Sequence, residues 1–184
     1  MDIDLALGNS TTIAQSSASL AYMSIKMGDF NDALSLLKSS KSHISQWHTP
    51  YLLADLYSTI IESYIEWEKI DSAQHYLDKL EVIVNTNNYA IQKAYMNQQK
   101  AFLCLLQKDY RKCISLLDSS IVQFRKLNSL ESFALIYEKR AEAFAALNLY
   151  EEAFASQQMA NSITDSLKYT VVAGLLNKLE QDKF

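Results

Sequence analysis

The chain has 184 residues, of which 49% are hydrophobic and 21% charged, and its formal net charge is −4. This composition is typical of a globular protein, and an acidic chain lacks the basic stripe that a nucleic-acid partner requires. Three glycines and one proline leave few residues for tight turns, which favours an all-α fold over β-hairpins.

The sequence carries no recognisable membrane or export signal. No run approaches the roughly eighteen apolar residues of a membrane span. The N-terminal stretch MDIDLALGNS has neither a basic region nor a long apolar core, so no signal peptide is predicted. Two cysteines are too few for a disulfide framework. These features favour a cytoplasmic location, and a periplasmic location stays open if a signal peptide has been removed.

Hydrophobic periodicity and capping signals divide the chain into nine predicted helices. Asn9-Ser10, Thr49-Pro50 and Ser129 are candidate helix starts, because Ser, Thr and Asn cap helices and proline suits the first helical position. Breaks of two or three residues predict that paired helices run antiparallel. The predicted helices span about 10–27, 30–46, 50–67, 70–86, 89–107, 110–127, 130–147, 150–167 and 168–183.

Similar residues recur every 40 positions. The stretch GDFNDALSLLKSS at 28–40 returns as KDYRKCISLLDSS at 108–120. One column of small residues contains Ala33, Ala73, Cys113 and Ala153, and a second contains Ala21, Ile61, Ala101 and Ala141. The large apolar column contains Phe30, Ile70, Tyr110 and Tyr150. Repetition at a fixed period predicts stacked helical hairpins that bury one continuous core.

These columns resemble the tetratricopeptide repeat (TPR) family. In that family a small residue late in the first helix packs on a small residue early in the second, and an aromatic residue follows a Gly-Asp-Tyr-like turn. Ala21, Ala33 and the turn Gly28-Asp29-Phe30 match this pattern. The second repeat departs from it at Ile61 and Ile70, and the period of 40 exceeds the family's usual value of about 34.

The resemblance implies an all-α, right-handed superhelix of four antiparallel hairpins with a C-terminal capping helix. The implied units are a tail at 1–9, repeats at about 10–49, 50–89, 90–129 and 130–167, and a capping or linker helix at 168–184. An apolar stripe that includes Leu175, Leu176 and Leu179 suits a cap. Ala153, opposite Ala141, is predicted to lie at a tight crossing that leucine would overpack.

The histidines and cysteines do not form a reactive motif. His43, His48 and His75 lack a spacing that brings three or four metal ligands together. Cys104 and Cys113 fall on core columns, where a free thiol behaves as a small hydrophobic group. A redox pair is the alternative interpretation of the two thiols. No metal or cofactor site is predicted.

An acidic run at Glu62, Glu66 and Glu68 is the remaining candidate for chemistry. Paired carboxylates serve acid–base catalysis only beside a substrate-positioning site, and no nucleophile or glycine-rich phosphate loop lies nearby. A patch that faces solvent or a partner is therefore favoured. We predict a non-enzyme without catalytic residues.

The TPR resemblance implies that partners bind in a groove lined by the first helix of each hairpin. By register, the groove candidates are Tyr22, Asp55, Glu62, Tyr95, Gln98, Phe102, Glu138 and Glu142. The mixture of acidic and aromatic residues suits a basic or apolar protein or peptide segment. The alternative is that Tyr22 and Phe102 only pack between helices. The asparagines and lysines by which some TPR domains hold a chaperone C-terminus are missing from these columns.

The C-terminal stretch is similar to the end of TPR regions in bacterial signalling proteins. There a turn like Thr164-Asp165-Ser166-Leu167 leads into a helix that ends like Leu179-Glu180, followed here by Phe184. This resemblance implies a sensory or regulatory module of the histidine kinase or diguanylate cyclase type. The alternatives are a free-standing TPR adaptor or scaffold and a peptide-pheromone receptor module. The oligomeric state is left open.

Overall fold

The computed structural model describes residues 2–44, 50–126 and 132–181, with side chains described for 10–43, 50–126 and 132–169. All regular secondary structure in these ranges is helical, which confirms the predicted all-α class. The eight helices are α1 (Asp2–Lys26), α2 (Phe30–Ile44), α3 (Pro50–Glu66), α4 (Ile70–Asn87), α5 (Ala90–Leu106), α6 (Tyr110–Lys126), α7 (Phe133–Ala146) and α8 (Tyr150–Gln181).

The helices pack as four hairpins in a row. Each odd-numbered helix packs against the helix that follows it, and α4 and α6 also contact the first helix of the next hairpin. The odd-numbered helices α1, α3, α5 and α7 contact one another in order and form one layer. This nearest-neighbour arrangement is a helical repeat architecture. The right-handed superhelical path stays a prediction.

Each hairpin turn contains one residue in the left-handed region, and these residues are 40 positions apart. They are Gly28, Glu68, Lys108 and Asn148, with φ of 82°, 55°, 63° and 60°. Left-handed backbone costs free energy for any residue with a Cβ, and three of the four positions are not glycine. The same turn is therefore imposed by the packing of the helices around it as well as by local preference.

A repeated pair of backbone hydrogen bonds closes these turns. The N–H of Gly28 donates to the carbonyl oxygen of Ile25 and the N–H of Asp29 to that of Ser24, both at 2.9 Å. Equivalent pairs occur in the other three turns, and together they form the Schellman arrangement of a helix C-terminus. Asp29 also accepts from the N–H of Asp32 at 3.2 Å, so its carboxylate caps the start of α2.

Small residues are fully buried where the two helices of each of the first three hairpins meet. The small residues with no solvent-exposed surface include Ala21, Ala33, Ala73, Ala101 and Cys113. The fourth hairpin differs, because Ala153 is only partly buried and lines an open depression beside Ala141 and Phe154. No further described helix packs beyond α8, so the column loses its cover there.

Two hydrophobic clusters divide the core. The first cluster contains residues of helices α1, α2, α3 and α4, together with Met96 and Leu103 from α5. The second contains residues of helices α5, α6, α7 and α8. Ile65 packs against both clusters. At the first boundary between hairpins, Phe30 stacks on Trp67 with ring centroids 5.3 Å apart. The aromatic residue that opens α2 therefore joins its hairpin to the turn of the next.

The predicted start of the first helix is wrong. Residues 2–9 were predicted to be a tail and Asn9-Ser10 a cap, but α1 already begins at Asp2. Asparagine and serine cost only tenths of a kcal/mol inside a helix, so a potential cap does not oblige a helix to begin there. Thr49 and Ser129, the other predicted caps, lie outside the described residues, and α7 begins at Phe133.

The predicted ninth helix is also wrong as a separate element, because α8 runs without interruption from Tyr150 to Gln181. The stretch 164–167 was predicted to be a turn. In the structure Ser166 donates to the carbonyl oxygen of Ser162 at 2.9 Å, and Lys168 pairs with Asp165 at 3.6 Å. Polar residues that bond within their own helix do not end it. The side chains of the predicted capping leucines lie outside the described set.

Replacing alanine by leucine in the small-residue column tests the difference between covered and uncovered hairpins. Ala73→Leu is expected to lower the free energy of unfolding by about 1–3 kcal/mol, because it overpacks a site with no free volume. Ala153→Leu, in the same column, is expected to cost under about 0.5 kcal/mol because its side chain borders an open depression. Chemical denaturation of both variants measures the contrast, and equal losses would contradict the described end of the array.

Exchanging residues at the turn positions tests the left-handed backbone. Gly28→Ala is expected to destabilise by about 0.5 kcal/mol, because the cost of the left-handed φ exceeds the gain from the lower freedom of unfolded alanine, and no atom lies within 4 Å of the added Cβ. Lys108→Gly is expected to stabilise by about 0.5 kcal/mol, after subtraction of the greater freedom of unfolded glycine. Lys93→Gly, at an exposed position inside α5, is the control and should cost about 1 kcal/mol. A loss of stability in Lys108→Gly would contradict this account.

Candidate functional site

One cavity of about 550 Å³ lies along the layer of odd-numbered helices, and we call it the groove. Its lining includes seven of the eight candidate residues: Tyr22, Glu62, Tyr95, Gln98, Phe102, Glu138 and Glu142. The period of 40 residues explains this convergence, because equivalent positions on successive first helices face the same side. Tyr22, Glu62, Phe102 and Glu142 represent one such position on α1, α3, α5 and α7.

Asp55 does not belong to the lining of the groove. Its Oδ1 accepts a hydrogen bond from Nε2 of Gln92 at 3.1 Å, which joins α3 to α5. The same pair of helices is joined by Gln99, whose Nε2 donates to the carbonyl oxygen of Ser58 at 3.0 Å. Asp55 is thus part of a polar contact between neighbouring hairpins.

The groove carries an excess of negative charge. Five glutamates line it, at positions 62, 66, 68, 138 and 142, against the two lysines Lys26 and Lys139. Both lysines are already engaged, since Lys26 pairs with Glu66 and Lys139 pairs with Glu142 at 2.9 Å. The hydrogen bond to Glu66 raises the pKa of Lys26, so that ammonium group stays charged. The remaining carboxylates make the cavity attractive to cations.

Glu62 is the most buried of these carboxylates. Burial raises the pKa of Glu62, and the hydrogen bond from Nε2 of Gln99, at 3.3 Å, opposes that rise. A charge removed from water without a full set of partners is unfavourable. Glu62 is therefore the groove carboxylate that gains most from a cation placed beside it.

The aromatic residues of the groove divide their surface between core and cavity. Phe102 is only 8% exposed and belongs to the second hydrophobic cluster, so packing between helices accounts for most of its surface. Tyr95 is half-buried, with its ring edge-on to Phe124 at 4.9 Å. Tyr22 is also half-buried, and the Lys26 ammonium lies 5.6 Å from its ring centre. The tyrosines present more surface to a partner than Phe102 does.

Three buried glutamines of α5 have a carbonyl oxygen without a hydrogen-bond partner: Gln92, Gln98 and Gln99. Only Gln98 was among the predicted site residues. Gln92 and Gln99 are seven residues apart, which places both on the face of α5 that meets α3. The spacing of Gln92 and Gln99 on one face of the helix was the available signal, but it does not reveal which oxygen lacks a donor.

The two thiols and His75 lie in ordinary structural positions. Cys104 and Cys113 are buried, and burial raises the pKa of both thiols, that of Cys113 to about 12. A thiol with a raised pKa is a poor nucleophile, which favours the core interpretation over a redox pair. His75 packs edge-on against Tyr76, and His48 lies outside the described residues.

The described ranges contain neither a metal-binding cluster nor a membrane-spanning helix. Within those ranges, no group of three or more His, Cys, Asp or Glu side chains is placed to hold a metal ion. Across the same residues, every helix is too short or too polar to cross a membrane. The distinctive features of the groove are its shape, its charge and its unpaired polar atoms.

Comparison with known proteins finds a likeness in fold. No protein-family model matches the chain, and no curated protein matches it. Among solved structures, the chain is similar to the crystal structure of BtubC (BKLC) from P. vanneervenii, with a TM-score of 0.52 and 14% sequence identity. The match covers 91% of this chain and 93% of that one. At this identity the likeness extends to the fold alone, and it supports an all-α architecture over most of the chain.

The burial of Glu62 predicts a pH-dependent effect on stability. A carboxyl whose pKa is raised on folding contributes stability below its unfolded pKa and loses that contribution as pH rises through the folded pKa. Glu62→Gln removes the charge, so this variant should gain stability relative to the wild type at pH 7 and lose that gain at about pH 4. Denaturant titrations at both pH values measure the difference.

Glu138→Gln is the matched control for this measurement, because Glu138 lines the same groove with an exposed side chain. It should change stability much less between the two pH values. If the free energy of unfolding of Glu62→Gln differs from that of the wild type by the same amount at both pH values, desolvation of the carboxylate is not the cause of the difference.

Proposed function

We propose that this chain is a protein-binding module of TPR-like hairpins, and that its groove holds a partner segment of basic and apolar character. The observation that carries the proposal is the convergence of seven candidates, chosen by register, on one cavity with five glutamates and two lysines. We further propose that the module acts by binding and not by catalysis.

The acidic residues would act mainly on encounter and orientation. Exposed carboxylates such as Glu138 and Glu142 attract a basic segment over about a Debye length, roughly 8 Å at physiological salt. Such contacts change association rates and salt dependence more than they change affinity. They therefore predict binding that weakens as salt is raised.

The apolar part of the groove would supply most of the affinity. Leu135 is 42% exposed and lines the same cavity as Tyr22 and Tyr95. Exposed apolar and aromatic groups in a concave site are the usual anchors of a protein interface. A segment that alternates basic and apolar side chains matches this mixture better than a purely charged one.

The length of α8 favours a sensory or regulatory role among the possible uses of such a module. This helix contacts α7 and little else among the described helices, and its described residues from Asp165 to Tyr169 are largely exposed. It begins beside the groove carboxylates and continues as one helix to Gln181. A bound partner could thus influence a distant part of a signalling protein, of the histidine kinase or diguanylate cyclase type, through a rigid element.

A free-standing adaptor and a peptide-pheromone receptor module are the alternatives, and neither requires coupling along α8. Hydrogen exchange of residues 164–181 with and without a groove-bound peptide distinguishes them from the sensory role. Altered protection in this stretch supports the regulatory use, and unchanged protection contradicts it.

Selection from a displayed random-peptide library tests the groove itself. The wild type should enrich basic and apolar peptides, and the double variant Glu138→Lys/Glu142→Lys should bind them at least about tenfold more weakly. Both substituted side chains are exposed, so the fold should persist. Titrations at low and high salt should show weaker binding to the wild type at high salt.

The matched control is Glu151→Lys/Glu152→Lys, which changes the net charge equally at exposed positions of α8 outside the groove. It should bind the selected peptides like the wild type. Equal weakening in both double variants would show that only overall charge matters. A selection that yields no peptide sensitive to the groove substitutions would contradict the proposed function.

A further inference from the structure

Gln98 is a buried polar side chain without a partner for its oxygen, inside the lining of an acidic cavity. The residue is 6% exposed, and its Oε1 lacks a hydrogen-bond donor. An unpaired acceptor out of water is unfavourable, so the complex is stabilised when a ligand supplies the donor. The groove therefore contains a specific unmet need for a donor, in addition to its diffuse negative charge.

The side-chain amide of Gln98 is able to accept a hydrogen bond from a ligand, because its oxygen has no existing hydrogen bond to lose. A half-turn about the terminal torsion exchanges the amide oxygen and nitrogen, and that torsion is broad and two-fold. Gln98 lines the cavity, so rotation of its side chain is able to present the carbonyl oxygen to a ligand there. A donor in the groove would then be paired at a site largely shielded from water.

The neighbours of Gln98 in the groove are acceptors as well. Glu62 on α3 and Glu138 on α7 line the cavity on the two helices that flank α5. Neither has an ion pair among the described residues, whereas Lys26 and Lys139 are engaged with other glutamates. Burial raises the pKa of Glu62, and a cation beside it would relieve the cost of its charge.

We infer that the groove binds the guanidinium group of an arginine side chain, with the carbonyl oxygen of Gln98 and the carboxylates of Glu62 and Glu138 as its acceptors. Arginine fits this set better than lysine, because a planar guanidinium directs five N–H donors at several acceptors at once. It also stacks on aromatic faces, which Tyr95 provides in the same lining. This inference rests on the proposed function and names the anchor of the bound segment.

Blocked arginine, N-acetyl-arginine-N-methylamide, is the probe that tests the inference on the full chain. Its binding is followed by NMR titration of the backbone and side-chain amide signals, with an expected dissociation constant that is roughly millimolar. The corresponding citrulline compound has nearly the same shape without the charge. It should bind at least about tenfold more weakly, because it loses the charge-assisted hydrogen bonds.

Two leucine variants locate the site. Gln98→Leu should lower the affinity for blocked arginine at least about tenfold, because it removes the acceptor and keeps a similar buried volume. Gln74→Leu, at an exposed position of α4 outside the groove, should bind like the wild type. Equal binding of arginine and citrulline, or unchanged affinity in a folded Gln98→Leu variant, would overturn the inference. The comparison of arginine with citrulline decides the matter on the wild type even if Gln98→Leu does not fold.

The outcomes separate this inference from the proposed function. Groove-dependent peptides that lack arginine, together with no binding of blocked arginine, would leave the binding module in place and overturn the anchor. Binding of blocked arginine at Gln98 without any groove-dependent peptide would support the anchor and contradict the larger proposal.

Discussion

The close approach of paired helices at small side chains is the constraint on which this structure depends. At Ala21, Ala33, Ala73, Ala101 and Cys113 the helices leave no room for water or for a larger group. Small side chains bury little apolar area between the two helices of one hairpin. The larger apolar residues are therefore expected to gain burial against neighbouring hairpins. Leu37, Leu77 and Leu117, at equivalent positions of successive repeats, are buried in the two hydrophobic clusters. Stability is consequently shared between neighbours, as in other repeat arrays.

The same constraint produces the groove. When hairpins stack with a constant offset, their first helices form one layer, and residues 40 positions apart present themselves to one cavity. The four hairpin turns each have a left-handed residue at the equivalent position, so the hairpins share one turn geometry. Because the backbone is regular, residues that recur every 40 positions lie on one surface, and their charges add there. The groove is acidic because its column positions hold glutamate.

The contact between α3 and α5 departs from this regularity. Hydrogen bonds from Gln92 to Asp55 and from Gln99 to Ser58 and Glu62 lie where the two hydrophobic clusters meet. Polar contacts of this kind fix the relative register of neighbouring hairpins, but they contribute less stability than apolar packing of the same area. The unpaired carbonyl oxygens of Gln92 and Gln99 make this seam the least satisfied part of the described core.

Local signals predicted the hairpins well. The starts of α2, α4, α6 and α8 at Phe30, Ile70, Tyr110 and Tyr150 coincide with the predicted positions, because a turn followed by a large apolar residue is a short-range feature. The division between α8 and a ninth helix failed for the opposite reason. Ser166 and Asp165 suit a turn in isolation, yet both are satisfied within the continuing helix.

The sequence by itself determined the helical class, the period of 40 residues and the positions that share a face, since all three follow from composition and spacing. Only the tertiary structure decided which of those positions line the groove. It separated Asp55, engaged by Gln92, from the groove, and it left Ala153 uncovered at the end of the array. It also left the oxygen of Gln98 without a donor. Burial and hydrogen-bond satisfaction depend on which residues of other helices come within a few ångströms, and no spacing along one helix contains that information.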